Sequence, residues 1–156
     1  MDNWQEKAFD FSQLEEFRQQ LAEVVNEYPG TCEKHLKKIG NKFKKLLKEK
    51  SPDGADNSHI KDEKERKKAD AKKLKNRWKS EVKGFSGEAL SMDIWTTSRH
   101  FHLVDRGHVQ KTKSGKVVGF VQGKHFLAAA AQELESNVVP TELEKLFKDI
   151  GKKIGD

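Results

Sequence analysis

The chain has 156 residues and a formal net charge of +6, with 36% charged and only 34% hydrophobic residues. That is one domain's length with little apolar material, which predicts a small core with solvated extensions, or a subunit that gains burial by assembling. The single cysteine, Cys32, excludes a disulfide framework within the chain and suggests a reducing place of synthesis; no run of eighteen apolar residues occurs, so a soluble protein without membrane contact is expected.

The charge is uneven. Residues 1–30 hold two basic and seven acidic groups (−5), residues 31–83 nineteen and nine (+10), and residues 84–156 ten and nine (+1). The N-terminal "MDNWQEKAFDF" is acidic and amphipathic and has no signal-peptide character. "SQLE" at Ser12 to Glu15 has capping-box spacing, and Leu14, Phe17, Leu21, Val24 or Val25 and Tyr28 follow at helical spacing. Pro29 and Gly30 are expected to stop this helix and Thr31 to cap the next. The second helix carries Cys32, Leu36, Ile39, Phe43, Leu46 and Leu47 on one stripe and eight lysines around it. Residues 1–50 therefore read as a helical hairpin, acidic then basic, whose charges are able to pair across it.

Residues 51–76 have almost no apolar periodicity and read as a basic, flexible loop, helical at most around Asp62 to Lys73. An αβ body is expected over residues 77–156. "RWKSEV" alternates Trp78, Ser80 and Val82 against charged neighbours, as a half-buried strand does. "GFSG" turns, and Leu90, Met92 and Ile94 share one face of an antiparallel partner. "KSGK" at Lys113 to Lys116 forms a hairpin tip between Val109–Lys111 and Val117–Val121. "KHFLAAAAQELES" reads as a helix from Lys124 to Ser136, and Pro140 opens a separate last helix carrying Leu143, Leu146, Phe147 and Ile150. Strands grouped between helices make the class α+β, with helices packed on one face of a small antiparallel sheet.

From Trp78 to Leu127 the order of residues resembles the tail-component family of tailed phages and phage-like prophage elements, the neck and tail-completion proteins. The resemblance rests on Trp78 in the first strand, on "FHLVDRGH" (Phe101 to His108, with His102, Leu103, Val104, Gly107 and His108 at motif positions), and on "GKHFLA" after a hairpin, with Gly123, Phe126 and Leu127. Arg106 stands where that family usually has an aromatic residue. The resemblance implies a short helical turn over Ser98–Asp105 stopped by Gly107. It also implies a non-enzymatic virion structural protein, a ring subunit that completes the tail or joins tail to head. The expected partners are further copies of itself (a hexameric ring in the particle), tail-tube and head-connector proteins, and DNA passing non-specifically through the channel. The expected location is the bacterial host cytoplasm during assembly and then the particle.

Four of the six histidines, His100, His102, His108 and His125, fall within Arg99–His125. Two rings two residues apart share a face on a strand but diverge by about 200° on a helix. The helical turn therefore argues against an "HxH" metal site, and no cofactor or metal is expected. His102 is expected to be at least half-buried, with its ring N–H on a backbone carbonyl. Trp78, Trp95, Phe101, Phe120 and Phe126 are expected in the core. Trp4 is expected to staple onto the helices or dock on a neighbouring subunit, and Lys113, Ser114 and Gly115 at the hairpin tip are candidate subunit contacts. Lys67, Lys68, Lys72 and Lys73 are candidates to face DNA or an acidic partner. Two rival readings are a basic nucleic-acid-binding module and a small metal-dependent hydrolase using the histidine cluster.

Overall fold

A computed structural model describes residues 11–85 and 89–155. The elements run α1 (Phe11–Glu27), α2 (Pro29–Lys50), α3 (Glu63–Ala71), a 3-10 turn (Leu74–Asn76), β1 (Trp78–Phe85), β2 (Leu90–Thr96), α4 (Phe101–Arg106), β3 (Gly107–Lys111), β4 (Val117–Gln122), α5 (Phe126–Glu133), a π-helical segment (Leu134–Val138) and α6 (Val139–Gly155). The class is α+β. Trp4 and the last two residues of the expected "GFSG" turn lie outside the described residues.

The first two helices join across one residue, Tyr28, at φ −125° and ψ 55°. Pro29 does not stop α1; it starts α2 at the first helical position, where its missing N–H costs nothing. Its ring instead pushes the preceding residue out of the helical region, which makes Tyr28 the break. α1 already includes Phe11, so Ser12 is not its cap. The long-range ion pairs of α2 run to the C-terminal helices rather than to α1. Lys42 bonds Glu142 at 2.7 Å and Lys50 bonds Glu133 at 2.7 Å.

α2 is the axis of the body. Near its C-terminal end Leu47 is buried with Trp78, Phe126 and Ala130, and Phe43, Leu46, Leu74, Ile94, Val104 and Leu127 close round them. Near its N-terminal end Cys32 is buried with Leu146 and Ile150, flanked by Val24, Val25, Tyr28, Leu90 and Leu143. Ser51 ties the first cluster together. Its hydroxyl donates to Leu47 O and accepts from Trp78 Nε1–H at 3.1 Å.

The expected pair of C-terminal helices is a single helical run with a π segment just before Pro140. Phase explains the segment. Ala130 and Glu142 both face α2, yet twelve residues at 3.6 per turn would leave them about 120° apart. The wider π turn advances less per residue and takes up that difference. Pro140 adds to it, because its ring crowds the carbonyl four residues earlier.

The strands form two separate two-stranded sheets among the described residues, not one small sheet. β1 and β2 pair antiparallel from Trp78↔Thr96 to Phe85↔Leu90, with a bulge at Val82/Gly84 where Gly84 takes φ +77°. Alternation holds along β2: Leu90, Met92 and Ile94 are half-buried against α2, and Ser91, Asp93 and Trp95 face out. Trp95, expected in the core, is 42% exposed. The segment read as a loop holds α3, capped by the Asp62 carboxylate on the Glu65 N–H at 2.9 Å. It is tied down by Asn57 on Asp70 and by the Lys75–Asp53 ion pair. No described helix is long and apolar enough to cross a membrane.

Candidate functional site: the β3–β4 arm and its anchor

β3 and β4 form an arm that pairs only with itself, from Gly107↔Gln122 through His108↔Val121 and Val109↔Phe120 to Lys111↔Val117. One face carries His108, Gly119 and Val121, half-buried toward the body. The other carries Val109 and Phe120, both exposed, with Val117 and Val118 beside them at the bulge after Gln110. Phe120 is 60% exposed and Val118 61%, so Phe120 is not core as expected. The tip closes through Gly115, at φ +86°, whose N–H donates to Thr112 O at 2.9 Å. Thr112 and Ser114 share a hydroxyl hydrogen bond of 2.8 Å, and Lys113 is exposed beside them.

The motif residues converge at the base of this arm. α4 ends at Gly107, whose φ of +87° and ψ of 171° suit glycine. A Cβ at Gly123 would sit 2.4 Å from Asp105 O and 2.4 Å from Arg106 C, so the end of β4 crosses α4 where only glycine fits. Lys124 N–H donates to Val104 O and His125 N–H to Asp105 O, each at 2.9 Å. The buried Asp105 carboxylate accepts from Leu127 N–H at 3.0 Å and so satisfies a free donor at the start of α5. Phe126, 2% exposed, then plugs into the core edge-on to Trp78, with ring centres 6.3 Å apart. Leu127 packs half-buried against the same cluster, and Leu103 is half-buried in α4. The motif is thus an anchor that fastens a two-stranded arm, marginal alone in water, to the body.

The histidines do not act together. His100 precedes α4 and His102 lies in its first turn. His102 is exposed, edge-on to Phe101 at 5.8 Å, and among the described residues does not hold a backbone carbonyl as expected. His125 takes φ +50° before α5 and is exposed. The buried Nδ1 of His108 has no hydrogen-bond partner among the described residues. Among the same residues no three His, Cys, Asp or Glu side chains are grouped as metal ligands.

The four lysines singled out in the basic segment are not one free patch. Lys67 pairs with Glu63 at 2.6 Å and Lys73 with Asp70 at 2.9 Å; Lys68 and Lys72 are exposed and make no ion pair among the described residues. Among the described residues, positive charge without an ion pair is richer on the arm and its anchor. Arg99–His125 holds six cations and one acid, and that acid is the buried Asp105.

The most elaborate charged cluster went unseen in the sequence. His35, 2% exposed, faces Glu142 Oε2 from Nδ1 at 3.3 Å and Asp149 Oδ2 from Nε2 at 2.9 Å. Only a ring protonated on both nitrogens donates to both carboxylates. Lys42, ahead of His35 and Lys145, holds the Glu142 carboxyl down at about 2 against the burial that would raise it. The His35 hydrogen bond likewise holds Asp149 below the usual carboxylate range. The cluster clasps α2 to α6 beside apolar neighbours, as a structural clamp. Its signal was present: His35 and Glu142 interrupt the apolar stripes Cys32–Leu36–Ile39 and Leu143–Leu146–Ile150.

No protein-family model, curated protein or solved structure matches this chain.

Proposed function

We propose that this chain is a non-enzymatic assembly subunit of a phage or phage-like particle, completing the tail or joining tail to head as one copy in a ring. The observation that carries the reading is the arm: an anchored hairpin that presents Phe120, Val117 and Val118 to solvent with no cover among the described residues. Apolar side chains held out in this way belong to surfaces that another protein covers. The resemblance of residues 78–127 to tail-completion proteins falls on the arm and its anchor, which supplies the kind of particle. Tail-tube and head-connector proteins are the neighbours this implies, with the ring hexameric and DNA passing through it.

The six cations of Arg99–His125, none in an ion pair among the described residues, favour a second reading, a β-ribbon that lies along nucleic acid. Electron microscopy of particles made with and without an intact arm tests the first. Replacing Val118 and Phe120 by serine leaves the chain folded and yields tails unjoined to heads. Normal particles from that variant would refute the reading. A steep fall of DNA affinity with salt, on a duplex of random sequence, would favour the second.

A further inference from the structure

Glu142 and Asp149 lie two turns apart on α6, so both carboxylates face α2. One buried ring bridges them. His35 Nδ1 is 3.3 Å from Glu142 Oε2, and Nε2 is 2.9 Å from Asp149 Oδ2. A neutral imidazole has one donor and one acceptor, so it would turn a lone pair on one of the two acids.

The surroundings leave the ring as the group that changes charge near neutral pH. Lys42 holds the Glu142 carboxyl at about 2, and the His35 hydrogen bond holds Asp149 below the usual carboxylate range. Both acids are therefore ionised from mild acid upward. On α2, burial raises the Cys32 thiol, one turn before the ring, and keeps it uncharged near neutrality. The cations around the pair are lysines, a side chain that titrates well above neutral pH: Lys42 and Lys145 on Glu142, Lys34 and Lys152 beside Asp149, and exposed Lys38 one turn on. Toward α1 and β2 the ring borders a hollow whose walls there are Leu21, Val24, Val25 and Leu90, all uncharged. Glu27 and Tyr28 stand farther off, across the cleft that Asp149 lines. Imidazole is the side chain that ordinarily exchanges a proton in this range.

The two acids differ in freedom. The Glu142 side chain is 2% exposed and cannot turn to water, whereas that of Asp149 is 36% exposed and can. A ring left with one proton keeps it on Nδ1, facing the acid that cannot leave. Asp149 then loses its donor. Beyond Asp149 only Ile150 is buried, and Gly151 to Gly155 are exposed, so this hydrogen bond is a main tie of the end of α6.

We propose that His35 is a proton-operated latch: the doubly protonated ring ties Asp149 to α2, and loss of the Nε2 proton to water as pH rises frees Asp149 and loosens α6 from Asp149 to Gly155. Asp149 also lines the cleft of about 660 Å³ between the α1–α2 junction and the end of α6, so the latch sets how far that cleft opens. The sign follows from the pairing. The stabilisation is full in mild acid, where the ring carries both protons, and is lost as pH rises through the ring's transition. The latch belongs to the body and is independent of what covers the arm.

The test uses the full chain with 15N-labelled histidine, and His35→Gln assigns the ring signals. Nitrogen shifts between about pH 5 and 9 report the protonation and tautomer of the ring. The expected result is both nitrogens protonated in mild acid and a single step to the Nδ1–H tautomer. Protection factors of amides from Asp149 to Gly155 fall at least about tenfold with the same midpoint, while those of β1 and β2 hold. Asp149→Asn, at a partly exposed site, keeps the fold and leaves the end of α6 loosened with no step across the range. A ring that stays neutral or stays doubly protonated throughout overturns the latch. So does an Nε2–H tautomer at high pH, or α6 protection that is flat across the ring's transition. A step that persists unchanged in Asp149→Asn overturns it as well.

Discussion

The body and the arm use their residues in opposite ways. In the body, apolar side chains are buried in two clusters along α2, and even the charges at its centre are committed: His35, Lys42, Glu142 and Asp149 close on one another. In the arm, Val117, Val118 and Phe120 are exposed, and its three lysines, Lys111, Lys113 and Lys116, make no ion pair among the described residues. The arm's stability comes from its base, where Gly107, Gly123 and Asp105 lock backbone to backbone. A small chain with a modest core can therefore keep a sticky surface out in solvent, because the anchoring is done by a few backbone contacts and not by the exposed face.

Substitutions can break this contrast by degrees. The largest effect is expected from Glu142→Ala, which leaves His35 and Lys42 facing a void. Loss of a buried charged partner costs about 3–5 kcal/mol, read by urea unfolding. The same carboxyl gives an acid limb. It is held at about 2, below its ordinary 4.5, so its contribution is full above about pH 4.5 and is lost as pH falls toward 2. Glu142→Gln should flatten that limb in unfolding curves measured across the window. Gly123→Ala forces a Cβ into the Asp105 carbonyl, and overpacking there should cost about 1–3 kcal/mol and release the arm. Amide hydrogen exchange in β3 and β4 would rise more than exchange in α2. Asp105→Ala removes a donor's partner at the start of α5 and should cost about 1 kcal/mol. Phe120→Ser should change stability by no more than about 0.5 kcal/mol, because the ring is already in water, while lowering binding of an apolar dye. A large loss of stability from this last change would erase the distinction between the two regions.

Local patterns carried much of the fold. Period-two alternation placed Trp78 and Leu90, Met92 and Ile94 on the buried side, and Gly115 marked the hairpin tip. Patterns failed where the deciding partner is distant. Pro29 and Pro140 are punctuation in one dimension, but one starts α2 and the other lies within a helical run whose phase is set by contact with α2. Trp95 and Phe120 look like core because they are aromatic and strand-borne; which strand face is covered depends on a neighbouring layer, and each hairpin here has one. Nothing local to Asp105 tells that its carboxylate reaches the Leu127 N–H twenty-two positions on. The candidate site was legible as a motif and a turn. Its meaning as an anchor needed the crossing at Gly123.

The lone cysteine turns the body into its own clock. Cys32 is 5% exposed, its Sγ–H points at Val24 O, and burial raises its thiol above the ordinary range. A thiol reagent reaches it through the neighbouring hollow between α1, α2 and α6 or when α1 lifts from α2, so the labelling rate reports that access without any introduced probe. The thiol also lines the hollow beneath α1. A ligand seated there would slow the clock, which makes reaction of one native sulfur a direct gauge of occupancy.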